Sequence, residues 1–184
     1  IIRNGKCYID GELKEVDVAI KDKKIHQIGQ ISEEAKETID ASGHTVLPGC
    51  IDTQTHFREP GSTDTEDLHT GSRAAIAGGI TSVFEMPNTN PPTSNKKEFQ
   101  RKLDLAKNRM YCNYAFYFGA TADNADDLAS LKDLEGCCGI KLFAGSSTGN
   151  LLVAEEDDID KVFQNASKVV AVHSEDEAIL KVNK

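Results

Sequence analysis

The sequence lacks the long apolar segment and the export signal that would direct it into or across a membrane. No window of its 184 residues approaches the ~18 consecutive apolar residues of a transmembrane helix. Its first residues do not show the charged, apolar and small-residue order of a signal peptide. With 39% hydrophobic and 28% charged residues, the composition is typical of a soluble globular protein. We therefore expect a cytoplasmic protein without a membrane partner.

Positive charge and paired cysteines are also scarce. The chain has 21 Lys and Arg residues but 30 Asp and Glu residues. The resulting formal net charge of -9 argues against nucleic acid as a partner. The five cysteines form an odd set without CxxC spacing, so we expect neither a disulfide framework nor a thiolate zinc site. A small-molecule substrate, which can be anionic if one or two cations meet it, is the partner we expect. The oligomeric state stays open, a homo-oligomer included.

Residues 1–46 contain short segments in which apolar and polar residues alternate, and turn residues separate these segments. The dipeptides Asn4-Gly5, Asp10-Gly11 and Asp22-Lys23 predict hairpin turns between them. This pattern predicts a small antiparallel β unit, with strand candidates at residues 1–2, 6–9, 16–20 and 24–28.

Residues 47–184 alternate between apolar runs and segments of helical period, with a repeat of about 30 residues that is typical of βα units. The pattern predicts an α/β fold with a parallel sheet, either an open doubly wound sheet or the first half of a (β/α)8 TIM-like barrel. A whole barrel needs about 250 residues, so a barrel would be represented here by about half of its strands. The apolar runs lie at residues 46–57, 80–86, 111–119, 137–143 and 168–173.

Polar residues gather where the first apolar run ends. If the strand continues through this segment, Gln54, His56 and Arg58 share one face, because alternate side chains of a strand point the same way. A histidine at a strand end can equally be a structural residue held by hydrogen bonds. Arg58 can equally be a solvated loop cation or a partner of Glu59.

Later runs end in a similar way. Asn88 follows the second run, Lys141 lies inside the fourth and His173 ends the fifth. In α/β barrels the carboxyl ends of the strands build the active site, so these side chains are candidates for one site. Asn88 can also be a plain turn residue. Lys141 is harder to explain as structural, because a buried ammonium group is costly unless it is paired or chemically altered.

These segments resemble the signature motifs of class I dihydroorotases, which belong to the amidohydrolase superfamily. The segment PGCIDTQTHFREPG at residues 48–61 resembles their first-strand motif, usually PGxxDxHxHxREPG. MPNT at 86–89, GIKLF at 139–143 and VHSED at 172–176 resemble the motifs of three later strands, in matching order and spacing. The resemblance covers essentially the whole chain.

The resemblance implies a distorted (β/α)8 barrel and a small β-sandwich subdomain, of which residues 1–46 would be the N-terminal share. It also implies a zinc site of one or two ions, in which His56 binds one metal, His173 binds another and the carbamate of Lys141 bridges them. A water activated between the metals would attack the ring amide. Arg58 would hold the carboxylate of dihydroorotate with Asn88 assisting, in the interconversion of N-carbamoyl-L-aspartate and (S)-dihydroorotate of pyrimidine biosynthesis.

The chain departs from the family pattern in two respects. Gln54 stands where the first metal-binding histidine is usual, and because an amide is a poor zinc ligand, one metal would bind weakly, bind differently or be absent. Some family members carry glutamine there, so this residue does not by itself predict inactivity. The family's catalytic aspartate and a further metal-binding histidine lie on later strands, beyond residue 184. We therefore expect the chain to be part of a longer protein and to be inactive alone.

Two alternatives remain open. A non-catalytic dihydroorotase-like scaffold is favoured by Gln54, whereas the retained His56, Lys141, His173 and Arg58 argue against it. An allantoinase or hydantoinase would use the same chemistry on a ring without the carboxylate, but those families lack an arginine at the position of Arg58.

Overall fold

The computed structural model describes residues 1–145 and 150–183, and the chain divides into two compact units, Ile1–Gly49 and Cys50–Lys184. The division falls between Gly49 and Cys50, three residues after the boundary predicted from the sequence at residue 46. No described helix is long and apolar enough to cross a membrane.

The first unit consists of short strands in two sheets. In chain order they are β1 (Ile2–Arg3), β2 (Lys6–Ile9), β3 (Glu12–Glu15), β4 (Asp17–Lys21), β5 (Lys24–Gly29), β6 (Ile39–Asp40) and β7 (Thr45–Val46). One sheet has the order β5-β4-β1-β6 and the other β3-β2-β7. Because β1 pairs with β6, and β2 with β7, in parallel, the prediction of a purely antiparallel unit was wrong.

Two of the three predicted hairpin turns are confirmed. Asp10 (φ 52°) and its following glycine join β2 to antiparallel β3, and Asp22 (φ 53°) with Lys23 (φ 63°) joins β4 to β5. Both turns use consecutive positive φ values, as the twist of a two-residue hairpin requires. Asn4 also has a positive φ of 63°, but it leads the chain from β1 in one sheet to β2 in the other, so it is not a hairpin turn.

The second unit is built on a parallel sheet of five strands. They are β8 (Cys50–Thr55), β9 (Ile80–Glu85), β10 (Asn113–Gly119), β11 (Cys137–Phe143) and β12 (Val170–His173). Strands that follow one another in the chain are neighbours throughout, in the order β12-β11-β10-β9-β8, and every pair is parallel. An open doubly wound sheet would reverse its order at a switch point. The arrangement is the first half of a (β/α)8 barrel, as predicted.

Helices connect these strands. They are α1 (Leu68–Ala77), α2 (Lys96–Ala106), a 3₁₀ helix (Ala125–Leu131) and α3 (Glu156–Asn165), with α4 (Glu177–Val182) after the last strand. Asn95 caps α2 by accepting a hydrogen bond from the Glu98 backbone N–H at 2.9 Å, and α1 ends at Gly78. The segment Ala125–Leu131 is a 3₁₀ helix rather than an α-helix, and Leu128 and Leu131, one 3₁₀ turn apart, are both buried.

The core of this unit lies between the helices and one face of the sheet. It includes Leu68 of α1, Phe99 of α2, Phe116 of β10 and Val162 of α3, all almost wholly buried. Alternation along β11 sends Ile140 and Leu142 into this core. Lys141 and Phe143, between and beyond them, therefore point to the opposite face of the sheet, the face that a closed barrel would enclose.

Candidate active site

The predicted site residues lie within the last three residues of parallel strands or shortly after them. His56 and Arg58 follow β8, and Asn88 follows β9. Lys141 lies in β11, and His173 is the last residue of β12. Because the strands are parallel and adjacent in chain order, these ends meet at one edge of the sheet.

His56 and Arg58 share the less buried side of the segment after β8, as predicted, but this segment is a loop and not a strand. Thr55, Phe57 and Glu59 are buried, whereas His56 is half-buried and Arg58 is exposed, so the alternation holds. The strand itself ends at Thr55, and Arg58 adopts the left-handed conformation with a φ of 63°. The prediction that a continuous strand presents this arginine was therefore wrong, because a loop presents it.

His56 is joined to Asn88 of the next loop by a hydrogen bond between their side chains. Burial lowers the pKa of His56, and the positive charges of Arg58 and Lys141 lower it further, while the bond to Asn88 opposes the shift. A neutral imidazole is the form that binds a metal ion.

Arg58 and Asn88 line the same cavity, of about 290 Å³. Its other walls come from the two loops that carry these residues, and the lining residues are Pro60, Ser62, Thr89, Asn90 and Pro92. A planar guanidinium and a side-chain amide in one cavity are suited to a small anion, because both can donate hydrogen bonds to it.

Lys141 is buried with only 3% of its surface exposed. Its Nζ lies 5.0 Å from the centroid of the Phe143 ring, and no described residue forms an ion pair with it. Burial lowers the pKa of Lys141 because the charged amine is poorly solvated there. The special character predicted for this lysine therefore has a physical basis in its surroundings.

The ring of His173 stacks on the ring of Phe143. Its ring centroid lies 6.0 Å from that of Phe143, which Lys141 also contacts. The Nε2 atom of His173 is hydrogen-bonded to the carboxylate of Glu175, and both side chains are partly exposed. One aromatic ring thus connects the lysine and the histidine that the motifs singled out.

Gln54 lies on β8 with an exposed side chain. Its backbone N–H donates to the carboxylate of Asp52 at 2.9 Å, and its side-chain amide has no hydrogen-bond partner among residues 1–145 and 150–183. Arg58 and Asn88 thus line one cavity, and Asn88 is hydrogen-bonded to His56. Gln54 does not line that cavity, and its side chain forms no hydrogen bond with these three residues.

Two ion pairs that the motifs did not identify support these loops. Glu59 accepts from both terminal nitrogens of the Arg109 guanidinium, at 2.7 and 3.1 Å, and from the backbone N–H of Leu68 at 2.9 Å. Arg58 therefore does not pair with Glu59. The signal for Glu59 was its place in the REPG segment, but nothing in the sequence pointed to a partner 50 positions later.

The second pair joins Glu85, at the end of β9, to Lys102 of α2, and both are almost wholly buried. Burial raises the pKa of Glu85 to about 7 and lowers that of Lys102, while each charge opposes the other's shift. A signal existed in the sequence: Lys102 lies within the apolar stripe of α2, between the core residues Phe99 and Ala106.

The donor set can be tested for its fit to a metal. Within the described residues no three His, Cys, Asp or Glu side chains group closely enough to hold an ion. Such a set becomes complete only if Lys141 contributes an anionic oxygen donor beside His56 and His173. A buried amine without an ion pair among the described residues fits that requirement, because a carbamate would offer the missing charge and oxygen atoms.

Comparison with known proteins identifies relatives of this chain. A sequence model described as the Amidohydrolase family matches residues 45–177. A dihydroorotase of Methanosarcina mazei is 36% identical over 96% of the chain, and an allantoinase of Escherichia coli O1:K1 is 37% identical over 97% of it. The structure of an L-hydantoinase (dihydropyrimidinase) from Arthrobacter aurescens superposes with a TM-score of 0.90 and 29% identity over 98% of the chain.

The chain spans less than half the length of these relatives. It covers 39% of the dihydroorotase, 41% of the allantoinase and 42% of the hydantoinase chain. The hydantoinase match includes almost all of the chain, so the parallel sheet corresponds to the N-terminal part of that protein's fold.

Proposed function

The chain belongs to the amidohydrolase family, and from that membership we propose that the protein is a metal-dependent dihydroorotase, which interconverts N-carbamoyl-L-aspartate and (S)-dihydroorotate in pyrimidine biosynthesis. Hydrolysis of a cyclic amide is common to the relatives named dihydroorotase, allantoinase and hydantoinase. The choice among these substrates rests on the residues of this chain.

The observation that carries the choice is the cavity shared by Arg58 and Asn88. Dihydroorotate differs from the rings of the other substrates by a carboxylate, and a guanidinium can bind a carboxylate through two parallel hydrogen bonds. Asn88 lines the same cavity and is also hydrogen-bonded to His56. A carboxylate held there would place the ring next to the histidine that we assign to the metal.

His56, Lys141 and His173 would hold zinc, as one or two ions, and Gln54 would be a weak fourth participant or none. When bound, zinc would activate a water and polarise the ring carbonyl, so that neutral pH suffices for attack on the amide. The low pKa of His56 favours the neutral ring that this role requires. His173 is held by Glu175, which fixes the orientation of its ring.

Lys141 would enter this site as its carbamate. The reaction needs the neutral amine, whose nitrogen forms a bond to the carbon of CO2 and loses a proton to solvent. Burial favours that neutral form, because it lowers the pKa of the lysine. The positive charge of the metal would compensate the negative charge of the carbamate. An ammonium group in the same position would instead repel the metal.

Arg58 would act by binding and orienting the substrate. Its left-handed backbone lies between the buried residues Phe57 and Glu59, whereas Arg58 itself is exposed and lines the cavity. Holding the carboxylate restricts the ring to one orientation, with the amide directed toward the metal ligands. Orientation of this kind lowers the barrier by fixing the reacting atoms in advance.

The test is a substrate panel on the full-length protein, including any sequence that flanks residues 1–184. We expect turnover of dihydroorotate and none of allantoin or hydantoin, with zinc retained. The substitution Arg58→Gln should lower kcat/KM by roughly 30-fold or more, as expected for a lost charge-assisted pair. Zinc-loaded protein that turns over none of these rings would refute the proposal and favour the non-catalytic scaffold, to which Gln54 also points.

The second candidate is an allantoinase, because the allantoinase relative matches this chain as closely as the dihydroorotase does. In that case Arg58 would be dispensable, since allantoin carries no ring carboxylate. Turnover of allantoin by both wild type and Arg58→Gln would establish this alternative.

A further inference from the structure

The ion pair between Glu85 and Lys102 lies directly beneath the two loops of the candidate site. Glu85 is the last residue of β9, three positions before Asn88, and its carboxylate accepts a hydrogen bond from the backbone N–H of Phe57. Phe57 lies between His56 and Arg58 in the sequence. One carboxylate thus connects the end of β9 to the backbone between two proposed site residues of the neighbouring loop.

Lys102 completes this connection from the helix side. Its Nζ contacts the Glu85 carboxylate, donates to the backbone carbonyl of Met86 at 2.9 Å and lies 5.2 Å from the centroid of the Phe116 ring. Met86 begins the segment that carries Asn88, and its own N–H donates to the carbonyl of Thr55 at 3.0 Å. All the polar contacts of the lysine therefore reach the loop after β9 or the carboxylate that holds the loop after β8.

Stability alone is a poor reason for this pair. Taking two charges out of water costs more than their attraction returns unless the geometry is very good, and apolar pairs of similar volume are often equally stable or more so. Both side chains here are fully buried, with exposed fractions of 0% and 1%. A function that an apolar pair could not supply, namely fixed hydrogen bonds to two separate loops, explains the pair better.

We propose that Glu85 and Lys102 are positioning residues that fix the loop after β8 against the loop after β9, and so set the spacing between Arg58, His56 and Asn88. This inference rests on the proposed function for its catalytic consequence. Its structural consequence, the coupling of the two loops, does not depend on which substrate is used.

The experiment compares variants of the full-length protein by thermal unfolding, by amide hydrogen exchange and by kinetics. The double variant Glu85→Leu/Lys102→Met removes both charges and both loop contacts while keeping the volume. We expect it to unfold near the wild-type temperature, to exchange faster in residues 55–61 and 86–90, and to lose on the order of 10²-fold in kcat/KM, because small misplacements of binding groups have effects of that size.

Two further variants separate positioning from folding. Glu85→Gln/Lys102→Met keeps an acceptor for the Phe57 N–H and should restore slow exchange in residues 55–61 and part of the activity. Lys102→Met alone removes the donor to Met86 and should quicken exchange in residues 86–90 but not in residues 55–61. Lys161→Met, which breaks a largely exposed pair with Asp126, serves as the control and should change none of these quantities.

The outcomes distinguish this inference from the proposed function. Unchanged exchange and unchanged kcat/KM in the apolar variant would overturn the inference, as would exchange that rises uniformly across the sheet and helices. Wild-type protein without activity on any ring of the panel would instead overturn the proposed function, and the exchange pattern would then decide the loop coupling by itself. If the apolar variant fails to fold, the segment-specific response of Glu85→Gln/Lys102→Met decides, because that variant leaves no buried charge unpaired.

Discussion

The guanidinium of Arg109 binds both carboxylate oxygens of Glu59, with nitrogen-to-oxygen distances of 2.7 and 3.1 Å across 50 positions of sequence. The same carboxylate accepts the backbone N–H of Leu68, the first residue of α1. Glu59, the residue after Arg58, therefore anchors the loop after β8 both to Arg109, which follows α2, and to the start of α1. An arginine in the left-handed conformation needs such support, because that conformation is unfavourable for a residue with a side chain.

Replacing Arg109 should disturb this loop. In Arg109→Gln the nearly buried Glu59 carboxylate keeps only the Leu68 N–H as a partner, and we expect a loss of about 1–3 kcal/mol in the free energy of unfolding. Because Arg58 is the neighbouring residue, KM for the proposed substrate dihydroorotate should rise more than kcat falls.

The matched control is Arg101→Gln, which breaks the exposed pair between Arg101 and Glu98 on α2. Pairs of that kind contribute about 0.3–0.5 kcal/mol. Denaturant unfolding and steady-state kinetics of both variants check the prediction, and equal effects would show that the Glu59 anchor has no special importance.

Gly71 of α1 packs directly against the ring of Phe57. A β-carbon at this position would lie 2.8 Å from both Cγ and Cε1 of that ring, too close to be accommodated without movement. Gly71→Ala should therefore destabilise the protein by about 1–3 kcal/mol through overpacking. Helix propensity alone predicts the opposite sign, a gain of up to about 1 kcal/mol.

The control for this effect is Gly78→Ala at the end of the same helix. There the added carbon would meet the Ala75 carbonyl oxygen at 3.5 Å, an ordinary contact, and the φ of -88° suits any residue. Thermal midpoints of the two variants give the comparison, and a stabilised Gly71→Ala protein would mean that the Phe57 ring moves aside freely.

Asp67 should contribute a stability that depends on pH. Its carboxylate accepts from the Thr70 N–H at 2.7 Å, and this bond, more than any other contact, holds the pKa of Asp67 below its ordinary value of 3.8. A carboxyl group whose pKa is lower in the folded protein stabilises it fully above 3.8 and loses that effect as the pH falls through the folded value. The melting temperature should thus fall with acid below about pH 3.8 in part because of this residue.

Asp67→Asn isolates the effect. Asparagine caps a helix about as well as aspartate but does not titrate in acid, so the variant should lose less stability over the same acid range. Melting curves of both proteins above and below pH 3.8 make the measurement, and parallel pH profiles would contradict the assignment.

Gln54 should limit the metal content of the protein. Imidazole is a far better zinc ligand than an amide, so Gln54→His is expected to raise the amount of zinc retained after dialysis. Thr53→His places a histidine next to it, also exposed but on the opposite side of β8, and should not have this effect. Elemental analysis of the three full-length proteins decides, and equal zinc in all of them would mean that position 54 is not a metal ligand.

Much of the fold follows from local patterns in the sequence. Five apolar runs became five parallel strands, and alternation around His56 held even after the strand had ended. The side chain of Asn95 caps the helix that directly follows it. These features depend on neighbouring residues, because hydrophobic period and capping act over a few positions. The motifs likewise single out Arg58, Asn88, Lys141 and His173 from the sequence alone, although their metal and substrate roles stay predictions.

Other features were decided only when distant segments met. The first unit contains parallel pairs that no hairpin rule predicts, and the loop conformation of Arg58 differs from the expected strand. Glu59 pairs with Arg109, and Glu85 pairs with Lys102. In each pair the lysine or arginine lies on a different segment from the glutamate. A buried charge must be matched wherever packing places it, and packing is a property of the whole sheet and its helices. The sequence therefore determined which residues could form the site, and the tertiary structure determined what holds them in place.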